Sequence, residues 1–191
     1  MKSAQYCVDG VRFIKRQGSE LLILVSSFIL IACSSSPINS GQAADHAALQ
    51  RVVDSFQSSI INKDKISFMN LFFSDKPEAI TWQAVVDDQS LEAIKLTRPQ
   101  AIKARHRPDN NFVAFIDGIV TSPDKERETF SGVQIDTDGE VASVSFDYVY
   151  LSNDTISNSG REKWLLVRTE QGWKIISVVY TIRLPKPPSS S

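Results

Sequence analysis

The sequence predicts an α+β fold, in which three N-terminal helices pack on a curved, mainly antiparallel sheet of four to six strands. Two observations lead to this prediction. Residues 126–184 hold four runs rich in β-branched and aromatic residues, separated by turns that contain glycine. Residues 45–119 hold three stretches with apolar residues at helical spacing. Helices grouped ahead of the main strands are expected to cover one face of the sheet.

Three turns divide the strand-rich region, namely 136–139, 158–160 and 170–172, and each ends in a glycine. Glycine adopts the positive φ that a tight hairpin needs, so each turn is predicted to join two antiparallel strands. In run 140–151, alternation places the larger apolar side chains on one face: Ala142, Val144, Phe146, Tyr148 and Tyr150. Run 173–184 is apolar on both faces, which predicts a covered outer face and, with it, a homodimer through that face.

The helices are predicted from spacing and from capping residues. Asp45 is expected to begin a helix that ends near Asn62, and Asp64 to cap a shorter second one. Asp109 is expected to cap the third, which carries the apolar face of residues 112–119. Between the second and third helices, residues 79–86 predict a strand, 87–90 a turn, 91–97 a return strand and 98–108 a loop.

The N-terminus predicts export and lipid attachment. Residues 21–31 are apolar, follow Lys15 and Arg16, and have the length of a signal-peptide core, although a membrane anchor is the alternative. The sequence Leu30-Ile31-Ala32-Cys33 resembles a bacterial lipobox, which implies cleavage after residue 32 and acylation of Cys33. The predicted organisation is a lipoprotein signal peptide (1–32), a flexible tether (33–42), one domain (43–184) and a disordered tail (185–191). Ser34 favours the periplasmic face of the outer membrane.

Composition limits the classes of function. The chain has 191 residues, 42% of them hydrophobic, and a net charge of −1, which suits one domain with a core and does not suggest a nucleic-acid partner. It has two cysteines and two histidines. Cleavage would remove Cys7 and leave one cysteine, so a disulfide is disfavoured. With two histidines and no cluster at metal-ligand spacing, a metal site and a Ser-His-Asp triad are also disfavoured, and no cofactor is expected.

Particular residues resemble the nuclear-transport-factor-2-like superfamily, which includes ketosteroid isomerases, scytalone dehydratase and SnoaL-type polyketide cyclases. They are Asp64, Asp138-Gly139-Glu140-Val141-Ala142, Phe146-Asp147-Tyr148, Gly160 with Trp164, and Gly172-Trp173-Lys174-Ile175. The resemblance covers residues 45–184. It implies a cone-shaped α+β roll with a pocket at its wide end, and it makes dimers through the outer face of the sheet a common arrangement.

Enzymes of this group use an ionisable residue in an apolar pocket, where burial shifts its pKa toward a value useful for proton transfer. The candidate bases here are His106 and Asp117, and the candidate donors are Tyr148 and Tyr150. Asp147 is expected to point outward. The predicted pocket lining is Trp82, Phe115, Phe146, Tyr148, Tyr150 and Trp164.

The sequence places neither base in the pocket, since His106 lies in a loop and Asp117 on a helix. The favoured function is therefore a lipid-anchored envelope protein that binds a small apolar ligand or an envelope protein without catalysis. The alternative is a cofactor-independent isomerase, lyase or cyclase. The loop around His106 also carries Arg98, Lys103, Arg105 and Arg107, for which a solvated surface is favoured over an anion site.

Overall fold

A computed structural model describes residues 40–186. The predicted signal peptide and Cys33 lie outside the described residues. In chain order the elements are α1 (Ser40–Asn62), α2 (Lys65–Met69), a 3₁₀ turn (Pro77–Ala79), β1 (Thr81–Val86), α3 (Asp88–Lys95), α4 (Phe112–Thr121), β2 (Glu126–Thr137), β3 (Val141–Ser152), β4 (Thr155–Thr169) and β5 (Gly172–Ile182). The predicted α+β class is confirmed. Within this range, no helix combines the length and apolar character needed to cross a membrane.

The five strands form one mixed sheet in the order β1-β5-β4-β3-β2. All neighbours are antiparallel except β1, which pairs in parallel with β5. The register shifts in each of the three antiparallel pairs, at Ser131/Gln134, Tyr150/Leu151 and Leu165/Leu166. Bulges of this kind bend strands and increase their twist, so they account for a curved sheet with one concave face.

The core lies between the concave face and helices α1, α2 and α4. Phe56 of α1 is fully buried and its ring centroid lies 4.9 Å from that of Phe68 and 4.8 Å from that of Trp164. The predicted alternation of β3 is confirmed, because Ala142, Val144, Phe146 and Tyr148 are buried and join this cluster.

The caps of the first two helices differ in how well they were predicted. Asp64 caps α2, as expected, and accepts a hydrogen bond from Ser67 N at 3.0 Å. Asp45 does not cap α1, because the helix already begins at Ser40. Its carboxylate instead forms an ion pair with Arg168, at 2.9 Å, which links α1 to β4. Residues 40–42 of the predicted tether are helical, and the rest of it lies outside the described residues.

The predicted turn at 87–90 and return strand at 91–97 are wrong. Asp87 is the N-cap of α3 and accepts a hydrogen bond from Ser90 N at 2.8 Å. The same residue types favour turns and helix starts, and the short following run of Leu91, Ile94 and Leu96 fits either period. The chain therefore has four helices within the described residues, one more than predicted.

The cap predicted for the third helix is displaced by two residues. Asn111, not Asp109, precedes α4 and accepts a hydrogen bond from Ala114 N at 2.9 Å. Asp109 is paired with Arg107 at 2.6 Å. The loop predicted for 98–108 contains no helix or strand.

Gly160 does not form the β3–β4 turn that was predicted for it. The hairpin is made by Asn153 and Asp154, which both have positive φ, of 49° and 63°. Strand β4 therefore begins at Thr155, and Gly160 lies within it, opposite Tyr148. The turns at Gly139 and Gly172 are confirmed, with φ of 100° and 95°.

A bulge changes which residues of strand β5 share a face. The pairing of β5 with β4 skips Ile176, and this bulge changes the phase of the strand. As a result Trp173, Ile175 and Val178 are all buried on the core side, and Val179 is exposed on the outer face. The outer face still carries apolar Ile176 and Val179, and Ile176 lines an outer pocket together with Val141 and Leu165. The homodimer stays a prediction. Val141 and Leu165 are exposed on the outer face, where a second copy would cover them.

Candidate functional site

A cavity of about 290 Å³ opens on the concave face. Its wall is formed by side chains from α1, α4 and all five strands, and it is mainly aromatic. The lining residues are Phe56, Trp82, Phe115, Glu128, Tyr148, Tyr150, Asn158, Glu162, Tyr180 and Ile182. The two carboxylic acids are the ionisable groups that distinguish it from an ordinary apolar cavity. We call this space the inner cavity.

Strand alternation places both acids on the concave face. Glu128 of β2 shares its phase with Phe130, and Glu162 of β4 shares its phase with Trp164 and Leu166. Each glutamate is only 4% exposed. Charged residues are almost never buried to this extent unless they are paired with a group of opposite charge. The described residues place no lysine or arginine beside either carboxyl group.

Burial shifts the acid–base properties of both groups. It raises the pKa of Glu162 to about 7, against an opposing hydrogen bond from Trp164. Burial also raises the pKa of Glu128 well above its ordinary value, and the negative charge of Glu162 raises it further. Two carboxyl groups that share a desolvated site do not ionise together. Near neutral pH, the pair therefore consists of an ionising Glu162 and a protonated Glu128.

One hydrogen bond orients Glu162. Trp164 Nε1 donates to Glu162 Oε2 at 2.6 Å, and both side chains are buried. The indole ring is held in turn by Phe56, Phe146 and Phe130. A carboxyl group fixed in this way keeps one oxygen bonded to Trp164 and leaves the other for a further partner in the inner cavity.

The hydroxyl group of Tyr148 forms hydrogen bonds within the fold, although the side chain also lines the inner cavity. Its hydroxyl lies 2.8 Å from Asn158 Oδ1 and 2.8 Å from Thr181 O, and it can donate its one proton to either. Its ring lies over Gly160, where an added Cβ would approach Tyr148 Cε1 to 2.7 Å and Thr181 O to 1.9 Å. Gly160 is therefore required for this close contact between β4 and β5.

The other polar groups of the wall are Tyr150, Tyr180 and Trp82. Burial raises the pKa of Tyr150 and of Tyr180, so both hydroxyls stay protonated and can donate hydrogen bonds. Trp82 packs its ring 5.7 Å from that of Tyr180. Its Nε1 is buried without an acceptor among the described residues. The wall thus offers donors around the two acids.

The structure separates the residues that were predicted for the site. Trp82, Phe115, Tyr148 and Tyr150 line the inner cavity, whereas Phe146 and Trp164 lie in the packed core beside it. Neither predicted base reaches it. His106 is exposed in the loop that precedes α4, and Asp117 is half exposed and accepts from Lys65 Nζ. Asp147 points away from the cavity and binds Arg161 through both carboxylate oxygens.

The sequence did not predict Glu128 and Glu162 as site residues, although the alternation of their strands indicates that both face the core. Glu162 falls between Gly160 and Trp164 on the face that also carries Leu166, while Arg161 and Lys163 occupy the other face. An acid in the phase of a tryptophan and a leucine is out of place on a buried face. The turn predicted at Gly160 placed Glu162 at the beginning of a strand, whereas β4 begins at Thr155 and holds Glu162 in its interior.

Known structures identify the fold. Similar ones include a candidate dehydratase of the NTF2-like family from Streptomyces avermitilis (TM-score 0.53, 12% identity, 75% of this chain and 99% of that chain). Another is a candidate scytalone dehydratase from Novosphingobium aromaticivorans (TM-score 0.52, 12% identity, 79% of this chain and 97% of that chain). A third is a Nostoc punctiforme protein of unknown function with a cystatin-like fold (TM-score 0.51, 14% identity, 76% of this chain and 96% of that chain). No protein-family sequence profile matches the chain, and no curated protein is similar in sequence. The chain has the NTF2-like, cystatin-like α+β fold.

Proposed function

We propose that the inner cavity is a catalytic site for cofactor-independent acid–base chemistry on a small, uncharged and largely apolar carbonyl compound. The observation that carries the proposal is the pair of buried glutamates in an otherwise aromatic wall. Non-catalytic binding was favoured from the sequence because no ionisable side chain had a place in the pocket. The structure supplies two, so the order of the two hypotheses is reversed.

The two acids have complementary roles in the proposed reaction. Ionised Glu162 removes a proton from the carbon next to the carbonyl group, and protonated Glu128 donates its proton to an oxygen of the substrate. If that oxygen belongs to the carbonyl, the first product is an enol. Where the substrate also has a C=C bond next to the α carbon, Glu162 returns the proton to the far end of the dienol and Glu128 recovers the enol proton, which is an isomerisation. If the oxygen instead belongs to a hydroxyl on the β carbon, the C–O bond breaks, water leaves and a C=C bond forms. In each case this first step leaves Glu162 protonated and Glu128 ionised, and after dehydration proton exchange with water restores the pair.

The wall determines which substrates fit. Phe56, Phe115 and Trp82 present aromatic surface, which favours a flat, apolar compound. A negatively charged group would be opposed by Glu162, since the described residues place no cation in this wall. Two of the similar structures are of candidate dehydratases, a reaction class that fits this chemistry.

The test is α-proton exchange, the step that isomerases and lyases of this kind share. Cyclohexanone, acetophenone and 1-tetralone are incubated with the protein in D₂O, and loss of the α-proton signal is followed by NMR. We expect faster exchange of at least one ketone, rising with pH as Glu162 ionises near pH 7. Glu162→Gln should lower the rate by about 10²-fold or more, because a general base is lost.

Glu170→Gln is the matched control, since it makes the same chemical change at an exposed position. Equal exchange rates for wild type and Glu162→Gln would contradict the catalytic role. Saturable ketone binding without exchange in any variant would support the non-catalytic alternative instead.

We also propose that the domain is attached to the periplasmic face of the outer membrane through acylated Cys33. The support is the sequence alone, namely the apolar run 21–31 followed by the lipobox-like residues 30–33. We expect cells fed a clickable palmitate analogue to label the wild type and Cys7→Ser but not Cys33→Ser. Without acyl chains, Cys33→Ser should also leave the membrane fraction. Label retained by Cys33→Ser would contradict the proposal.

A further inference from the structure

A second cavity, of about 370 Å³, adjoins the inner cavity and shares Ile182 with it. Its floor is apolar and comes from β1, α3 and the end of β5: Ala84, Val86, Leu91, Ile94, Ile182 and Leu184. Its rim comes from the loop between α3 and α4 and carries Arg98, Lys103, Arg105 and Arg107. We call this space the basic chamber.

The loop that forms the rim is attached to the sheet. Val86 N, on β1, donates to Lys103 O at 2.9 Å, and Gln83 Nε2 lies 3.4 Å from Arg105 O. Within the loop, Ala101 N bonds Arg98 O and Asn110 N bonds Arg107 O. These backbone contacts hold the cationic segment above the apolar floor, so the chamber is part of the fold.

The rim carries uncompensated positive charge. No acidic residue lines the chamber. Lys103 is paired with Asp88 at 2.6 Å and Arg107 with Asp109 at 2.6 Å, both acids lying outside the lining. Arg98 and Arg105 form no ion pair within residues 40–186. Two unpaired guanidinium groups beside an apolar floor complement a ligand with an anionic head and an apolar chain.

We propose that the basic chamber is a second ligand site, for a single-chain anionic amphiphile such as an alkyl carboxylate. The carboxylate is bound by Arg98 and Arg105, and the chain lies on the floor beside Ala84 and Ile182. The proposal is independent of catalysis in the inner cavity, which has no cation in its wall and favours an uncharged compound. The inner cavity thus favours an uncharged ligand, and the adjoining basic chamber favours an anionic one.

A membrane surface is the competing occupant, because Leu96 and Ile102 near the rim are 86% and 54% exposed. We favour a single chain because the apolar floor is concave and lies between α3 and the loop. A bilayer surface would contact the exposed residues around the rim and leave the floor unused.

Binding is measured by calorimetry and by ¹⁵N NMR with octanoate, 1-octanol and octyltrimethylammonium, all below micelle-forming concentration. We expect octanoate to bind more tightly than the other two and to shift the amides of Ala84, Ile94 and Ile182. The double variant Arg98→Ala/Arg105→Ala should weaken octanoate binding about tenfold, since each exposed charge contact contributes a few-fold.

Arg51→Ala/Lys76→Ala is the control, because it removes the same charge at two exposed positions outside the chamber. Ala84→Phe, which fills the floor, should abolish octanoate binding while the unfolding temperature and the dispersion of the ¹⁵N NMR spectrum report an intact domain. Equal affinity for octanoate and octanol, or equal weakening by both double variants, would overturn the proposal. The proposal would also be overturned if octanoate did not bind and the protein instead bound phosphatidylglycerol vesicles through Arg98 and Arg105.

Discussion

Gly160→Ala is expected to lower the free energy of unfolding by about 3 kcal/mol or more. The added methyl group would lie 1.9 Å from Thr181 O and 2.7 Å from Tyr148 Cε1, and the first of these atoms is backbone. Strand β5 would have to move away from β4. The two bonds between Ser159 and Arg183, at 2.9 and 2.7 Å, and the Tyr148–Thr181 bond would be strained together.

Urea and thermal unfolding measure the effect, with an expected fall in Tm of roughly 10 °C. Gly118→Ala is the control, because Gly118 is exposed in α4 and its added Cβ meets no atom within 4 Å. Alanine is the better helix former, so this variant should gain about 0.5–1 kcal/mol. If Gly160→Ala were within 1 kcal/mol of wild type by the same assay, the close β4–β5 approach would be wrong.

The second large effect is a loss of stability as the pH rises from 5 to 9. The folded-state pKa of Glu162 is raised from 4.5 to about 7, and that of Glu128 is raised well above its ordinary value. At pH values between the unfolded-state and folded-state pKa of each glutamate, the folded protein binds more protons than the unfolded chain does. The stabilisation is therefore complete below about pH 4.5 and is lost as the pH rises through the folded-state values. For Glu162 the loss is roughly 3 kcal/mol.

The measurement compares wild type with Glu128→Gln/Glu162→Gln by urea unfolding across this range. Glutamine keeps an acceptor for Trp164 Nε1 and cannot ionise, so the double variant should lose most of the pH dependence. Glu140→Gln/Glu170→Gln makes the same change at exposed positions and should behave as wild type. Asp64, Asp87 and Asp147 have lowered pKa values, so their contribution is lost only below this range. Equal pH profiles for wild type and the buried double variant would contradict the assignment of Glu128 and Glu162 as buried acids.

Much of the fold follows from patterns that are local in the chain. The apolar phase of β3, the cap at Asp64 and the turns at Gly139 and Gly172 each depend on residues within a few positions of one another. Periodicity and capping report such short-range geometry directly. The same signals are ambiguous where one residue type serves two structures, as Asp87 does, and there the prediction was wrong.

The sequence by itself determined the α+β class and the order of most elements, and it predicted four of the aromatic residues that line the inner cavity, Trp82, Phe115, Tyr148 and Tyr150. Only the tertiary structure decided the phase of β5 beyond the bulge at Ile176, the role of Gly160 inside a strand and the pairing of Glu128 with Glu162. Each of these depends on groups from separate strands, and no local period encodes their distance. Desolvation, which turns two ordinary glutamates into a candidate acid–base pair, arises only when the sheet and helices close around them.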